Sequence, residues 1–484
     1  MKKFLTVLFL TGLLTTRIAA AENPAKTAGT GRAILGINGD QKRIVVTAVT
    51  ADGSAIQVEG CTVTKLPSGE RTVLTATGAK VILKGAITKL DCGGNRLTEL
   101  NVQGLTALQK LFCDDNLLTS LDVSGVTALQ SLSCGENLLT SLDVSGLTGL
   151  RELYCDRNHL SSLDVQSLTA LQDLFCNANK LTSLNVQDLK VLQRLHCNSN
   201  RLTSLDVRDL SALQELDCVG NELTSLDVHG VTALWELECS KNMLTLLDVQ
   251  SLTSLSKLDC SENQLISLDV RNLAALEELD CRDNKLTSLN VRGLNTLQKL
   301  YCSENELTSL EIQGLKTLQK LNCYKNKLTS LNIQGLTALQ WLNCGYNELT
   351  TLNLKGLHAL RDLECFNNNL AELDVQAINT LQRLNCYHNK LSTLELSTLH
   401  GLQELCCYDN LFNEKTLIRI LTALPDRKQK KEGRALIYGK KNDPREGTIT
   451  DFSSSAELKA AFEAAKAKNW RFYKRDTVGN EEEV

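Results

Sequence analysis

The segment LQELDCVGNELTSLDVHGVTA, residues 213–233, shows a 21-residue unit that repeats along most of the chain. A cysteine recurs at every twenty-first position from Cys92 to Cys407, sixteen times without interruption. Each of these ladder cysteines has a leucine two residues before it and an asparagine three residues after it. A fixed period of this length predicts a solenoid, in which each unit is one coil and neighbouring coils share a continuous core.

The pattern within the unit assigns a role to each position. In Leu216-Asp217-Cys218 the alternation directs leucine and cysteine into the core and the aspartate to the other face of a short strand. The asparagines, Asn95 to Asn410, are expected to bind backbone groups left unpaired where each coil turns. This is the leucine-rich-repeat signature with cysteine in its third apolar position. We therefore predict an α/β leucine-rich-repeat solenoid with a curved parallel β-sheet on its concave face.

The segments outside the repeats predict a signal and two caps. Lys2 and Lys3 precede an apolar run and the small residues before Glu22, which is typical of a cleavable secretory signal. The predicted organisation is a signal peptide at 1–21, a β-rich N-terminal cap at 22–86, a solenoid of sixteen repeats at 87–410 and an α/β C-terminal cap at 411–484. We expect export and no transmembrane segment in the mature chain.

Within the C-terminal cap, helices are expected at Glu414 to Leu424 and Ala456 to Asn469. The basic run from Arg427 to Lys431 is expected to be a solvated loop, with contact to an acidic surface as the alternative.

The cysteines are expected to be free thiols that fill the core. Equivalent residues on adjacent parallel strands lie about 4.8 Å apart with their side chains projecting in parallel, whereas a disulfide needs converging Cβ atoms about 3.8 Å apart. A linear file of thiols does not supply the four convergent ligands of a zinc site, so we predict no metal and no cofactor. Cys406 is expected to face solvent, and Cys61 lies in the N-terminal cap.

A net charge of -4 argues against nucleic-acid binding.

Residues that the fold does not require indicate where function lies. Four positions around each ladder cysteine, at −3, −1, +1 and +2, are expected to face the concave side, and ten of the chain's twenty aromatic side chains occupy them. The ten include Phe112, Tyr154 and Phe175 in the first repeats. We predict that ligand binding uses the seven in the last repeats: Tyr301, Tyr324, Trp341, Tyr346, Phe366, Tyr387 and Tyr408.

The middle repeats carry acidic residues at the same concave positions. We predict a secondary acidic zone that contacts a basic partner. Its residues are Asp217, Glu236, Glu238, Asp259, Glu278 and Asp280. The histidines are scattered over different repeat positions, and no catalytic triad or phosphate-binding motif is present in the sequence, so we predict that the protein is not an enzyme.

The run LTSLDVSGVTAL at 118–129, set within the cysteine ladder, resembles the internalin family of bacterial surface leucine-rich-repeat proteins. The resemblance covers residues from about 87 to 410. It implies an adhesion or host-interaction protein that captures a protein partner on its concave face, where aromatic residues make key contacts. By position it implicates Tyr301, Tyr324, Trp341, Phe366, Tyr387 and Tyr408. The sequence departs from the family in its β-rich N-terminal cap and in lacking a cell-wall sorting motif.

These observations predict an exported, non-enzymatic adhesin that binds a protein ligand on a host or bacterial cell surface. Cell adhesion, biofilm formation, self-association and host-cell interaction are the expected roles, at the outer surface or after secretion. The alternatives are a glycan-binding module, because exposed aromatic rings also stack on sugars, and a periplasmic scaffold.

Overall fold

The computed structural model describes residues 31–439, 452–475 and 481–484. The predicted signal peptide at 1–21 lies outside the described residues, as do the first residues of the predicted N-terminal cap.

Eight strands form the beginning of the described chain. They are β1 (Arg32–Gly36), β2 (Arg43–Thr50), β3 (Ile56–Glu59), β4 (Lys65–Leu66), β5 (Arg71–Thr75), β6 (Lys80–Lys84), β7 (Ile87–Asp91) and β8 (Glu99–Asn101). One sheet has the order β4-β3-β6-β1-β8, and β2 pairs with β5 on one side and β7 on the other. Alternate residues of both sheets are fully buried, such as Leu35 and Ile44. Strands β1 and β2 thus pair with the first coil, through β8 and β7 respectively.

A ribbon of short parallel strands follows β7, with one strand in each repeat. It comprises β9 (Lys110–Phe112), β10 (Ser131–Ser133), β11 (Glu152–Tyr154), β12 (Asp173–Phe175), β13 (Arg194–His196), β14 (Glu215–Asp217), β15 (Glu236–Glu238), β16 (Lys257–Asp259), β17 (Glu278–Asp280), β18 (Lys299–Tyr301), β19 (Lys320–Asn322), β20 (Trp341–Asn343), β21 (Asp362–Glu364), β22 (Arg383–Asn385) and β23 (Glu404–Cys406). Equivalent residues pair in register, as Leu216 does with Leu237. The predicted parallel leucine-rich-repeat sheet is confirmed.

The inward face of every coil is apolar. The middle leucine of each strand and the ladder cysteine that follows it have at most 1% of their surface exposed. Each buried leucine contributes about 2 kcal/mol through removal of its side chain from water.

On the opposite side of the coil, aspartate residues form tight turns, as where Asp227 accepts a hydrogen bond from the backbone N–H of His229 at 2.9 Å. Isolated bridges such as Asp206 to Asp227 link neighbouring turns there.

The residue two positions after each ladder cysteine has left-handed backbone geometry. It is glycine in only two of the sixteen repeats, at Gly94 and Gly220, and its φ lies between 50° and 68° throughout. This geometry turns the chain from the strand toward the buried asparagine of the ladder. Side chains at this position, such as Tyr346, therefore project from a fixed turn rather than from a strand.

The C-terminal cap contains α1 (Glu414–Ala423), β24 (Gly433–Gly439), α2 (Ala456–Ala467), β25 (Trp470–Arg475) and β26 (Glu481–Glu483). Both helices were expected, and β24 and β25 extend the ribbon in parallel beyond β23. Asn413 caps α1 by accepting a hydrogen bond from the N–H of Thr416 at 2.9 Å. The cap buries Trp470, which donates to the carbonyl oxygen of Pro425 at 2.8 Å.

The basic run of the C-terminal cap is only partly the solvated loop that was predicted. Arg427 is 5% exposed and donates hydrogen bonds to the carbonyl oxygens of Leu402 and Lys431, both at 2.9 Å. Burial lowers the pKa of this guanidinium. The prediction is wrong for Arg427, because this side chain satisfies backbone groups at the end of the last coil, whereas the lysines of the run are exposed.

Within these described ranges, no helix is long and apolar enough to cross a membrane.

Candidate ligand-binding surface

The concave surface is built from residues at −3 and −1 on the strands and at +1 and +2 in the turns that follow, counted from each ladder cysteine. In β14, for example, Glu215 and Asp217 are partly exposed while Leu216 between them is buried. Because all strands are parallel and in register, residues at one repeat position form a file along the surface.

Five predicted binding residues form one continuous group, the C-terminal aromatic cluster: Tyr324, Tyr346, Phe366, Tyr387 and Tyr408. Phe366 stacks on Tyr387 with ring centroids 4.7 Å apart, and Tyr387 stacks on Tyr408 at 4.6 Å. Tyr346 meets the edges of Tyr324 at 5.3 Å and Phe366 at 5.7 Å. Such stacked and edge-on pairs add to the stability of the group beyond burial alone.

The members of the cluster differ in what they offer to a ligand. Tyr346 is 47% exposed, whereas Phe366 and Tyr408 are 8% and 7% exposed. Gly345 allows this packing, because a Cβ there would lie 2.8 Å from the Phe366 ring. Phe366 and Tyr408 stand at concave positions, as expected from the sequence, but the neighbouring rings cover them and leave little of their surface for a ligand.

Tyr301 and Trp341 lie apart from the cluster. They stand on β18 and β20, and with Lys320, Arg361 and other residues they line a separate polar groove. The seven aromatic residues predicted to bind a ligand are therefore divided between a packed cluster in the turns and a groove on the strands.

Four residues of the predicted acidic zone form a single file at position −1. Asp217, Glu238, Asp259 and Asp280 pair in register on β14 to β17. Burial raises the pKa of Asp217 to about 6, and the carboxylates of Glu238 and Glu236 add to this effect. Burial likewise raises the pKa of Asp280 to about 6. This acidic file thus holds like charges at close range in partly dry surroundings.

Two lysines reduce the charge of the acidic zone. Lys257 binds Glu236 at 2.7 Å and also binds Glu238. Lys299 binds Glu278 at 2.8 Å. Both lysines occupy position −3, and the sequence prediction did not include them. Arg282 also binds Asp280 at 3.2 Å, so two of the four carboxylates in the file at −1 are paired, and among the described residues Asp217 and Asp259 form no ion pair.

A second aromatic row lies in the first half of the solenoid. Tyr154, Phe175 and His196 occupy position −1 on β11 to β13, with centroids 4.9 Å and 4.2 Å apart. Arg194 lies over Phe175 at 5.7 Å and is held by Asp173 through hydrogen bonds of 2.7 and 2.8 Å. Tyr154 and Phe175 were recognised as concave residues, but the predicted site omitted them. Their recurrence at the 21-residue spacing is the signal that identifies the row.

The cysteines of the ladder differ from the two other cysteines in their exposure to solvent. All sixteen ladder cysteines are buried and free, whereas Cys61 and Cys406 are partly exposed. Burial raises the pKa of the ladder thiols, to about 12 for Cys176 and Cys323, and so suppresses the reactive thiolate. In the part of the chain that the structure describes, no three His, Cys, Asp or Glu side chains are grouped as metal ligands.

Comparison with known proteins identifies similar structures. No protein-family model matches the chain, and no curated protein matches it. It is similar to the functional domain of internalin J (InlJ) from Listeria monocytogenes, which includes a cysteine ladder: the two are 31% identical over 76% of this chain and 77% of that chain, with a TM-score of 0.63. A leucine-rich-repeat protein of Leptospira interrogans is 29% identical over 70% of this chain and 88% of its own, with a TM-score of 0.56.

YopM from Yersinia enterocolitica shares the fold, with 22% identity over 72% of this chain and 87% of its own and a TM-score of 0.51. The similarity to InlJ extends over most of both chains and includes the feature that defines this repeat, the buried file of free cysteines. The chain therefore belongs to the internalin family of leucine-rich-repeat proteins.

Proposed function

We propose that this protein is an exported, non-enzymatic adhesin that captures a protein ligand on its concave face. The observation that carries the proposal is the C-terminal aromatic cluster, in which an exposed tyrosine rests on a stack of covered rings. Leucine-rich-repeat solenoids use their extended concave surfaces for binding. Export is supported by the sequence of residues 1–21. The roles proposed are cell adhesion, biofilm formation, self-association or host-cell interaction.

The cluster has the physical properties of a binding hot spot. Tyr346 offers a large ring whose orientation is limited by Tyr324 and Phe366, so binding costs little side-chain entropy. Phe366 contacts Tyr346 directly, and Tyr387 and Tyr408 extend the stack behind Phe366. Tyrosines held in this way dominate the energetics of protein interfaces.

The acidic file supplies the second part of the proposed recognition. It runs over β14 to β17, whereas the cluster occupies the turns after β19 to β23. A partner that carries basic residues at the matching distance would gain electrostatic steering from the file and affinity from the cluster. Binding should therefore weaken as the salt concentration rises.

The proposal is tested by replacing two tyrosines of the cluster with residues that occur at the same positions in other repeats. In the double variant Tyr324→Ser, Tyr346→Ala, each new residue occurs at the equivalent position of another repeat, as Ser303 and Ala178. We expect adhesion of the purified protein to epithelial cells or to the producing bacterium to fall by about tenfold or more. Trp235→Ala is the matched control, because this tryptophan is 39% exposed but lies outside the four concave positions.

Two results would reject the proposal. Equal adhesion by the double variant and the unchanged protein would remove the cluster from recognition. Absence of adhesion by the unchanged protein to either cell type would argue against an adhesin and favour the periplasmic scaffold. Circular dichroism spectra of all variants establish that they are equally folded.

A further inference from the structure

The polar groove on the strands differs in chemistry from the aromatic cluster. Its first part lies over β18 to β22 and is lined by Tyr301, Lys320, Trp341 and Arg361 among others. Asp362 and Arg383 line this part and also a second hollow that continues toward β23. The two hollows thus form one groove across several repeats.

Trp341 lines the groove from the middle of its first part. It pairs in register with Lys320 on one neighbouring strand and Asp362 on the other. Glu364 on β21 accepts a hydrogen bond of 3.1 Å from Asn343, which stands two residues after Trp341 on β20. Because neighbouring strands lie about 4.8 Å apart, a six-membered ring placed on the indole would reach the side chains on both sides.

Some of the charged side chains around the Trp341 indole form ion pairs and others do not. Asp362 is held by Arg383, with Nε and Nη2 contacts of 2.7 and 2.8 Å. Lys320 and Arg361 are exposed, and within the described ranges neither forms an ion pair. Two uncompensated cations beside an indole favour a ligand that carries a negative charge next to an apolar ring face.

The second hollow contributes further polar side chains, among them Asn385 on β22 and Glu404 on β23. The Asp362–Arg383 pair adds an acceptor and a donor in a fixed arrangement.

We infer that this groove binds a saccharide that carries a carboxylate, such as a uronic or sialic acid. The sugar ring would stack on Trp341, its carboxylate would lie between Lys320 and Arg361, and its hydroxyls would reach Asp362 and Arg383. A neutral sugar would leave both cations unused, and an acidic peptide would not supply a ring with hydroxyls around it. The inference does not depend on the proposed protein ligand.

Calorimetric titration of the full chain with sialyllactose, lactose and a hexaglutamate peptide tests this site. We expect sialyllactose to bind about tenfold or more tightly than either of the other probes. The double variant Lys320→Gln, Arg361→Gln should lose that preference, and Gln is the residue at the position of Arg361 in most other repeats, as at Gln340. Lys285→Gln, Arg292→Gln is the charge-matched control, with both residues exposed and outside the concave positions.

Trp341→Ser provides a second, independent variant, because Ser131 occupies the same position in another repeat. It should abolish binding of sialyllactose, while Tyr324→Ser, Tyr346→Ala should retain it even where cell adhesion is lost. The inference is overturned if sialyllactose does not bind at millimolar concentration, or if lactose binds equally well. Equal binding of hexaglutamate would overturn it in favour of an acidic peptide.

Discussion

The Nδ2 atom of Asn242 donates a hydrogen bond of 3.0 Å to the carbonyl oxygen of Cys218, which lies one coil earlier. The same atom donates to the carbonyl oxygen of Cys239 at 3.1 Å. Its Oδ1 atom accepts from the backbone N–H of Leu223 at 3.0 Å. One buried side chain thus joins two coils through their backbones, and the corresponding asparagines from Asn116 to Asn410 repeat the same arrangement.

Replacement of Asn242 by alanine should destabilise the coils on both sides. The change leaves buried carbonyl and N–H groups without partners, and we expect the local free energy of unfolding to fall by about 2–4 kcal/mol. Because stability in a solenoid is spread over neighbouring repeats, the loss should be confined to a few coils. Hydrogen exchange of the backbone amides in β14 to β16 measures it.

Asn295→Ala is the control for this prediction, because Asn295 is exposed and belongs to no ladder. Its effect should stay within about 0.5 kcal/mol. Unchanged amide protection in Asn242→Ala would show that the ladder does not hold the coils together.

The ladder thiols should not react in the folded protein. Burial raises their pKa, so the thiolate that attacks alkylating reagents is absent, and the sulfur atoms have no exposed surface. Iodoacetamide followed by mass spectrometry should add no more than two labels, at Cys61 and Cys406, to the native chain. All eighteen cysteines should react after unfolding in guanidinium chloride.

The variant Cys406→Ser separates the two accessible sites, and its native form should lose one label. Cys407→Ser, by contrast, should leave the number of native labels unchanged, because Cys407 is buried. Rapid labelling of a third cysteine in the native protein would contradict the prediction that the ladder thiols are inaccessible to the reagent.

The strands and their register were predictable from the sequence, because a side-chain period of two determines which residues face the core. The sequence could not predict which of these side chains are covered by their neighbours. Phe366 and Tyr408 occupy the same repeat position as Tyr324, yet adjacent rings bury them. This burial depends on contacts between repeats, which the pattern of a single unit does not contain.

Pairing between repeats explains the other differences as well. Lys257 lies between Glu236 and Glu238 only because β15 and β16 are neighbours in register. Arg427 belongs to a run that was expected to be solvated, but its side chain is buried where it donates to the carbonyl oxygen of Leu402 in the last coil. The position of a residue in the repeat predicts which way its side chain points. Whether that side chain is exposed or forms an ion pair depends on the neighbouring coil.

Asp280 should make the protein less stable as the pH rises. Burial, together with the carboxylates of Asp259 and Glu278, raises its pKa to about 6 from an unfolded value of 3.8. The folded state therefore binds the proton more tightly, so the stability that Asp280 contributes is fully present below about pH 4 and is lost as the pH rises through 6. Asp280→Asn should be more stable than the unchanged protein at pH 7 and equally stable at pH 4, as measured by urea unfolding.

Asp283→Asn is the matched control for Asp280→Asn. Asp283 is exposed, and asparagine accepts the left-handed backbone geometry found there. The control should unfold at the same urea concentration as the unchanged protein at both pH values. A gain at pH 7 that persists at pH 4 would mean that the effect of Asp280→Asn does not come from titration.

Gly433 should be essential to the C-terminal cap. A Cβ at this position would lie 2.5 Å from the indole of Trp470, which is 2% exposed and cannot move aside without opening the cap. Gly433→Ala should therefore displace β25 from β24, at a cost of about 1–3 kcal/mol. Limited proteolysis should then cut the chain after β23 more rapidly than in the unchanged protein.

Gly146→Ala is the matched control, because a Cβ there meets no atom within 4 Å and the backbone is not left-handed. If Gly433→Ala resists proteolysis as well as Gly146→Ala does, the close packing of Trp470 on β24 does not stabilise the cap. If both variants are cut faster, the effect comes from loosening of the solenoid as a whole. Faster cleavage in Gly433→Ala alone would show that the last coil depends on this one contact for its cover.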